Sequence, residues 1–248
     1  MGNRGDFYTF RFFLYFGERV CYNRPMIKIV LIDIDNTLLD FDKCAKDSIK
    51  KTCKVCSLPF AEEIFSAFIP VNDSLWREIE KGTLTKKKLH EIRFWRVFEV
   101  AGIKADGAAF EKTFREFLEV SHEKVDGAEE LLSYLSEKYR VYAVSNAAHS
   151  EQLTRLKNAG LSKYLSGCFV SDTLGAEKPS AEFFDACFSR IADADKRETV
   201  VIGDSVSADM VGGKNYGLKT IWFNKKGAPE SDIPDYTVYS LDGIKDIL

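Results

Sequence analysis

The sequence predicts an α/β protein with a Rossmann-like doubly wound parallel sheet and an inserted all-helical domain. Three observations lead to this prediction. After residue 124, short apolar runs rich in β-branched residues alternate with amphipathic helical stretches, as in parallel sheets covered by helices on both faces. A similar apolar run, at residues 29–32, comes much earlier in the chain. The stretch between these two parts has a mainly helical pattern.

The composition is that of an ordinary globular protein. The chain has 248 residues, 45% of them apolar, which suits one large domain or two modest ones. With 35 basic and 38 acidic residues the formal charge is -3, so no overall positive field favours a nucleic-acid polymer or an anionic membrane. Six scattered cysteines in a chain too long to need a disulfide framework predict a reduced, cytoplasmic protein. Cys53 and Cys56 have the spacing of half a zinc site, but no second pair completes the four ligands.

Residues 1–25 differ in character from the rest of the chain. They are aromatic and apolar in part, but Arg11 interrupts the apolar run, which is too short to span a bilayer. A secretory signal would have a longer apolar core and a small-residue cleavage site. We treat residues 1–25 as an N-terminal extension and assign no function to it, and Met26 is a plausible alternative start.

The first predicted strand delivers two acids to its carboxyl end. Residues 29–32 are continuously apolar, as in a strand buried on both faces, and Asp33 and Asp35 follow. Ligands of doubly wound sheets bind outside the carboxyl ends of the strands, so this is a position for chemistry. Aspartates also punctuate ordinary turns, and the pair alone is therefore a weak signal.

The helical stretch that follows is predicted to form a separate domain. Thr85 is a candidate N-cap and Gly102 a candidate C-terminal stop for its longest helix. The pattern divides the chain into a core domain, residues 26–41 and 124–248, and a helical cap domain, residues 42–123. The predicted helices of the cap are residues 43–55, 59–68, 73–81, 85–101 and 106–120.

Strands and helices alternate from residue 126 to the end of the chain, and a short helix is predicted to close it. The predicted helices are residues 128–138, 150–159, 181–191 and 208–215. The predicted strands are residues 141–144, 168–170, 199–202, 220–223 and 236–239.

Polar clusters stand where these strands end or helices begin. They are Asp33-x-Asp35-x-Thr37, Ser145-Asn146, Lys178-Pro179, and Gly203-Asp204-Ser205 with Asp209. In this order they resemble the four signature motifs of the haloacid dehalogenase superfamily, from residue 27 to the C-terminus. Each cluster alone is unspecific, whereas the ordered set is specific.

The resemblance implies phosphoryl transfer through a carboxylate. Asp33 resembles the nucleophile that forms an aspartyl-phosphate, and Asp35 resembles the general acid and base. Two carboxylates beside a phosphate dianion require a cation, and Mg²⁺ prefers oxygen ligands. The family pattern assigns Mg²⁺ binding to Asp33, to the backbone carbonyl of Asp35 and to Asp204. Asp209 resembles a further ligand or a support that acts through water.

The same resemblance assigns phosphate binding to Thr37, Ser145, Asn146 and Lys178. A serine hydroxyl and the backbone amides at a helix start donate hydrogen bonds to phosphate oxygens, and a lysine neutralises their charge. Two residues depart from the pattern. Ala147 and Ala181 stand where the family often has glycine and proline. Neither replaces a reacting group.

The predicted cap indicates the substrate. Residues 71–76, 82–85 and 93–95 resemble the cap of bacterial pyrimidine 5'-nucleotidases of the house-cleaning type. We therefore expect a 5'-nucleotidase acting on pyrimidine nucleoside monophosphates, as a monomer or homodimer, with Asn72, Trp76 and Arg93 contributing to specificity.

Other functions remain compatible with the core motifs. A small-metabolite phosphatase acting on phosphoglycolate or a sugar phosphate would have the same core and a different cap preference. A phosphate-binding or interaction protein without turnover would be expected to lack a reacting residue, and none is missing. A 2-haloacid dehalogenase would not need Asp35 or the Mg²⁺ carboxylates.

Overall fold

The computed structural model describes residues 26–60 and 62–248, and the prediction for residues 1–25 lies outside this part. Six parallel strands form one sheet in the order β3-β2-β1-β4-β5-β6. The doubly wound parallel sheet predicted from the sequence is confirmed. The strands are β1 Ile29–Asp33, β2 Arg140–Ser145, β3 Gly167–Val170, β4 Thr199–Gly203, β5 Lys219–Phe223 and β6 Tyr236–Val238.

Strand β1 lies at the centre of the sheet and is covered on both faces. Val30 and Ile32 pack into the apolar cluster on one face, whereas Ile29 and Leu31 pack into the cluster on the other. The chain adds β2 and β3 on one side of β1 and then β4 to β6 on the other. The strand order therefore reverses at β1, which places a ligand-binding crevice at its carboxyl end.

Of the helices between β1 and β2, the first four lie in residues 41–120, which we call the helical insert. They are α1 Phe41–Val55, α2 Glu62–Glu80, α3 Lys86–Ala101 and α4 Gly107–Val120. As predicted, the Thr85 side chain accepts a hydrogen bond from the first turn of α3, and Gly102 ends that helix with a left-handed backbone. The insert has its own apolar cluster, built around Phe68, Phe94 and Phe114.

One helix of the insert corrects the sequence prediction. Residues 59–68 and 73–81 were expected to form two helices, but α2 runs continuously from Glu62 to Glu80 with Pro70 inside it. Proline removes one backbone hydrogen bond and crowds the preceding turn. Phe68 and Leu75 are both fully buried on either side of Pro70, and this packing outweighs the local preference for a break.

Five further helices cover the sheet: α5 Ala128–Lys138, α6 His149–Asn158, α7 Ser171–Leu174, α8 Ala181–Phe188 and α9 Val211–Tyr216. Leu131 and Leu156, of α5 and α6, pack on one face, and Phe184 and Tyr216, of α8 and α9, pack on the other. The short helix α7 was not predicted. No helix of the described residues is long and apolar enough to cross a membrane.

The two connections between sheet and insert run side by side. The amide of Asp40 donates to the carbonyl of Glu123 across 2.8 Å, and that of Val125 donates to the carbonyl of Leu38 across 3.0 Å. Lys225, in the loop after β5, forms a 2.6 Å ion pair with Asp40. The division into two domains at these connections stays a prediction.

Candidate active site

Polar side chains meet at the carboxyl edge of the three central strands. Asp33 is the last residue of β1, Ser145 the last of β2 and Gly203 the last of β4. These strands are adjacent and parallel, so their final residues lie at the same edge of the sheet. Residues predicted from motifs as far apart as Asp33 and Gly203 are thus brought to one place.

Lys178 lies at the centre of this site. Its side chain is only 3% exposed, and Nζ donates to Asp33 Oδ1 and to Asp209 Oδ1, each across 2.7 Å. The backbone around it is held by Asn146, whose amide side chain bonds both the N–H and the carbonyl of Lys178 at 2.8 Å. Asn146 therefore orients the lysine, and a direct contact of Asn146 with phosphate stays a prediction.

A wide turn after β4 brings Asp209 back over the strand. The predicted helix at residues 208–215 begins as a π-helical segment, Val206–Met210, before α9. Within this segment Asp209 is fully buried, and its Oδ2 accepts from the amide of Ser205 at 3.2 Å. A side chain on Gly203 would occupy this space, because its Cβ would lie 2.1 Å from Asp209 Oδ2.

Three carboxylates form one cluster. Oxygens of Asp33, Asp204 and Asp209 all lie within 4.8 Å of one another. Burial, with Asp209 and Asp35 nearby, raises the pKa of Asp33 to about 7, although Lys178 opposes the shift. Burial and the neighbouring carboxylates also raise the pKa of Asp204 well above its usual range. Burial would lower the pKa of Lys178, but Asp209 and Asp33 outweigh it and raise that pKa.

This donor set fits a hard divalent cation. Among the described residues, Lys178 is the only cation that forms ion pairs with these three carboxylates, so the cluster carries excess negative charge in a largely dry site. Carboxylate and carbonyl oxygens are the ligands that Mg²⁺ prefers, and a bound cation would offset the repulsion that raises these pKa values. Asp33, Asp204 and Asp209 are the residues suited to hold it.

Asp35 takes part in a second network, directed towards α6. One carboxylate oxygen accepts from Arg155 Nη1 at 2.6 Å, and the other accepts from the amide of Gln152. Gln152 Nε2 also lies 3.0 Å from Ser145 Oγ. The predicted acid and the predicted phosphate-binding serine are therefore held by one glutamine.

The Ser145 hydroxyl is free to donate a hydrogen bond to a ligand. Its Oγ accepts from Gln152 and from the amide of Ala147, the latter across 3.1 Å. A hydroxyl that accepts two hydrogen bonds still has its own hydrogen to give, which suits a phosphate oxygen. Thr37 is fully buried, and its hydroxyl has no partner among the described residues. Its role in phosphate binding stays a prediction.

The turn after β1 directs the two acids to different partners. Asn36 has a left-handed backbone, with φ of 60°, and its side chain bonds Asp42 at the start of α1. Leu38 and Leu39 both donate to the carbonyl of Ile34 across 2.8 Å, which closes the turn. Asp33 therefore points to Lys178 while Asp35 points to Arg155.

The three predicted specificity residues lie in the helical insert. Arg93 is 3% exposed, pairs with Glu111 at 2.7 Å and donates to Asn72 Oδ1 at 3.0 Å. Asn72 is likewise buried, whereas Trp76 is partly exposed and packs beside Leu75. A contact between any of these three residues and a substrate stays a prediction.

Sequence reasoning missed Gln152 and Arg155. Both are fully buried on α6 and stand three positions apart, so they share the face that carries Leu156. The sequence does carry one signal for them: they are polar residues on the apolar face of an amphipathic helix, shortly after Ser145. Lys86 was also missed, and it joins the insert to the segment after β3 through Ser171 Oγ at 2.7 Å and Glu177 at 3.1 Å.

Comparison with known proteins identifies the family. Residues 27–217 match the family described as haloacid dehalogenase-like hydrolase. The chain belongs to this family. The predicted resemblance is thus confirmed, as is the prediction of a hydrolase of the phosphatase type.

Members of known structure and sequence are similar over nearly the whole chain. The crystal structure of the HAD-hydrolase YfnB of Bacillus subtilis, bound to magnesium, has a TM-score of 0.85 and 33% identity, covering 90% of this chain and 99% of its own. The pyrimidine 5'-nucleotidase PynA of Streptococcus pneumoniae is 33% identical, covering 89% of this chain and 94% of PynA. The pyrimidine 5'-nucleotidase YjjG of Escherichia coli is 27% identical, covering 88% and 96%.

Proposed function

We propose that this phosphatase is a Mg²⁺-dependent 5'-nucleotidase that hydrolyses pyrimidine nucleoside monophosphates through an aspartyl-phosphate. The observation that carries the mechanism is the buried Lys178 ammonium, which holds Asp33 and Asp209 at 2.7 Å beside Asp204. A carboxylate fixed in this way, at a strand end with hydrogen-bond donors nearby, is suited to attack phosphorus.

In the first step an Asp33 oxygen bonds to phosphorus as the bond to the leaving-group oxygen breaks. Asp35 gives its proton to that oxygen, so the alcohol leaves neutral. Ser145 donates a hydrogen bond to the phosphoryl oxygens, and Lys178 offsets their negative charge. Asp33 is left as an aspartyl-phosphate.

In the second step a water molecule attacks the phosphorus of the aspartyl-phosphate. Asp35, now a carboxylate, accepts a proton from the water, and the bond between phosphorus and Asp33 breaks. Inorganic phosphate leaves and both aspartates return to their starting forms. When bound by Asp33, Asp204, Asp209 and the carbonyl of Asp35, Mg²⁺ supplies positive charge that reduces repulsion between carboxylate and phosphate.

The relatives support the choice of substrate. PynA and YjjG are both pyrimidine 5'-nucleotidases, and they align with about nine-tenths of this chain, insert included. The YfnB structure is described as revealing interdomain movement, which supports a helical insert that closes as a cap. The Lys86 contacts with Ser171 and Glu177 would form where cap meets core.

The test is a phosphate-release screen with UMP, dUMP, dTMP, purine nucleotides, phosphoglycolate and hexose phosphates, with Mg²⁺ and with chelator. Release is expected to be fastest with the pyrimidine nucleotides, and to be lost in Asp33→Asn and on chelation. Activity that survives either change would overturn the mechanism.

The substrate assignment has a separate outcome in the same screen. If phosphoglycolate or a hexose phosphate clearly exceeds all three pyrimidine nucleotides in kcat/KM, the nucleotidase proposal is wrong while the mechanism stands. Asp195→Asn is the matched control for Asp33→Asn, because the Asp195 side chain is partly exposed, pairs only with Arg197 among the described residues, and is expected to change nothing.

A further inference from the structure

Arg155 is a buried, charged residue beside the candidate active site. Its side chain is fully buried on α6, where the family motifs assign no function. Burying a guanidinium is costly unless its charge and its hydrogen-bond donors are matched. The groups that match it therefore indicate what Arg155 does.

Two of these groups have different roles in the fold. Nη1 donates to Asp35 Oδ1 across 2.6 Å, and Nε donates to the backbone carbonyl of Ser121 across 3.2 Å. Ser121 directly follows α4, so it begins the connection by which the helical insert rejoins the sheet. One rigid, planar group thus contacts the proposed acid and the exit of the proposed cap.

The arrangement leaves Asp35 adjustable. Asp35 uses only Nη1 of Arg155, and its other oxygen is bonded by Gln152, which also bonds Ser145. Nη2 has no partner among the described residues, so the pair between Arg155 and Asp35 is not the bidentate type that fixes the orientation of a carboxylate. The Asp35 side chain also remains 28% exposed.

We propose that Arg155 is a positioning residue that aligns the Asp35 carboxyl beside Ser145 and couples this alignment to the connection at Ser121. The proposal rests on the proposed function, in which Asp35 protonates the leaving group. Movement of the insert shifts the Ser121 carbonyl, and Arg155 transmits that shift to Asp35. Proton donation is then strongest when the insert is in one position.

The experiment compares two leaving groups of similar shape. p-Nitrophenyl phosphate releases an oxyanion that needs little protonation, whereas benzyl phosphate releases an alkoxide that needs a proton donor. The parameter is kcat/KM, because it covers the steps up to departure of the leaving group. The variants are Arg155→Lys, Arg155→Met, Asp35→Asn and Arg155→Lys combined with Asp35→Asn.

Arg155→Met is expected to lower kcat/KM for benzyl phosphate about tenfold more than for p-nitrophenyl phosphate, since general acid catalysis is impaired. Asp35→Asn should show a selective loss for the same substrate. Arg155→Lys is expected to cause a smaller selective loss of kcat/KM for benzyl phosphate than Arg155→Met, because lysine keeps the positive charge but lacks the planar guanidinium. In the Asp35→Asn background, Arg155→Lys should cause no further selective loss.

Arg140→Lys is the control for a change at a partly buried arginine. Arg140 donates to the Ala192 carbonyl at 2.7 Å, at the opposite end of β2 from Ser145. Arg140→Lys should leave the ratio of kcat/KM for the two substrates unchanged.

Equal losses of kcat/KM for both substrates in the Arg155 variants, or a selective loss that Arg155→Lys adds in the Asp35→Asn background, would overturn the proposal. Wild-type protein that hydrolyses neither these two substrates nor UMP would instead overturn the proposed function, and the role of Arg155 with it.

Discussion

Lys178 and Asp33 are separated by 145 residues in the chain, yet they form a 2.7 Å ion pair that is almost completely shielded from water. A buried ion pair is weak support for stability by itself, since desolvation of both charges offsets their attraction. Here the same ammonium also bonds Asp209, so its removal would leave several buried carboxylates without a counter-charge.

Lys178→Met should therefore destabilise the metal-free protein and abolish phosphate release. Breaking a buried pair by removing one partner costs about 3–5 kcal/mol. Urea unfolding in the presence of chelator measures the free energy of unfolding, and added Mg²⁺ should recover part of the loss because it binds the native carboxylates.

Lys28→Met is the matched control, since Lys28 forms a 2.8 Å pair with Glu198 but its side chain is 56% exposed. Exposed pairs of this kind contribute about 1 kcal/mol or less. Equal destabilisation in the two variants would contradict the assignment of Lys178 as the counter-charge of the cluster.

Gly203→Ala should weaken Mg²⁺ binding more than it weakens the fold. The new methyl group would lie 2.1 Å from Asp209 Oδ2, so this carboxylate must move away from Asp33 and Asp204. Displacing one ligand or its support is expected to raise the half-saturating Mg²⁺ concentration about 10–100-fold. A Mg²⁺ titration of phosphate release measures it.

Gly243→Ala tests whether any added methyl group has this effect. Its nearest neighbour would be 3.5 Å away, in the side chain of Val238. The half-saturating Mg²⁺ concentration should stay at the wild-type value, and an unchanged value in Gly203→Ala would remove Asp209 from the proposed metal site.

The sheet, and the polar residues that gather at its carboxyl edge, could be predicted from the sequence because both depend on local patterns. A continuous apolar run marks a buried strand, and Asp33, Ser145 and Asp204 are polar residues found at the ends of such runs. Their convergence follows from the rule that parallel strands end at one edge.

Features that depend on tertiary packing could not be predicted in this way. The continuity of α2 through Pro70 is decided by the side chains it buries, and the Arg155 contacts join segments 34 and 120 residues apart. The pairing of Lys225 with Asp40 likewise spans 185 residues. Surface lysines give no periodic signal that would identify such a partner.

Trp76→Ala tests the predicted role of the insert in substrate choice. Trp76 is partly exposed, so its ring has surface available to a nucleobase. Loss of a base-stacking contact costs about 1–3 kcal/mol. The expected result is a kcat/KM for UMP that falls at least about fivefold more than that for phosphoglycolate, measured by phosphate release.

Trp95→Ala is the control within the same insert. Trp95 is 51% exposed on α3 and packs over Gly107, so its loss should affect both substrates alike. A Trp76 variant that lowers both kcat/KM values equally would show that Trp76 acts only in packing the insert.

The stability of the metal-free protein should fall as the pH rises from about 4 to about 7. Burial raises the pKa of Asp33 from 3.8 to about 7. Between these two values the folded state binds more protons than the unfolded state, so raising the pH favours unfolding. The raised pKa of Asp204 acts in the same direction. Thermal unfolding midpoints measured across this range with chelator present should decrease with pH.

Asp33→Asn should flatten this dependence, because it removes the Asp33 carboxyl and one source of repulsion on Asp204. Mg²⁺ should flatten it in the wild type as well, since the metal binds the ionised carboxylates of the folded state. Asp195→Asn is the control: Arg197 lowers the pKa of Asp195 to about 2, below the range tested. A slope that is identical in Asp33→Asn and wild type would mean that other groups cause the pH dependence.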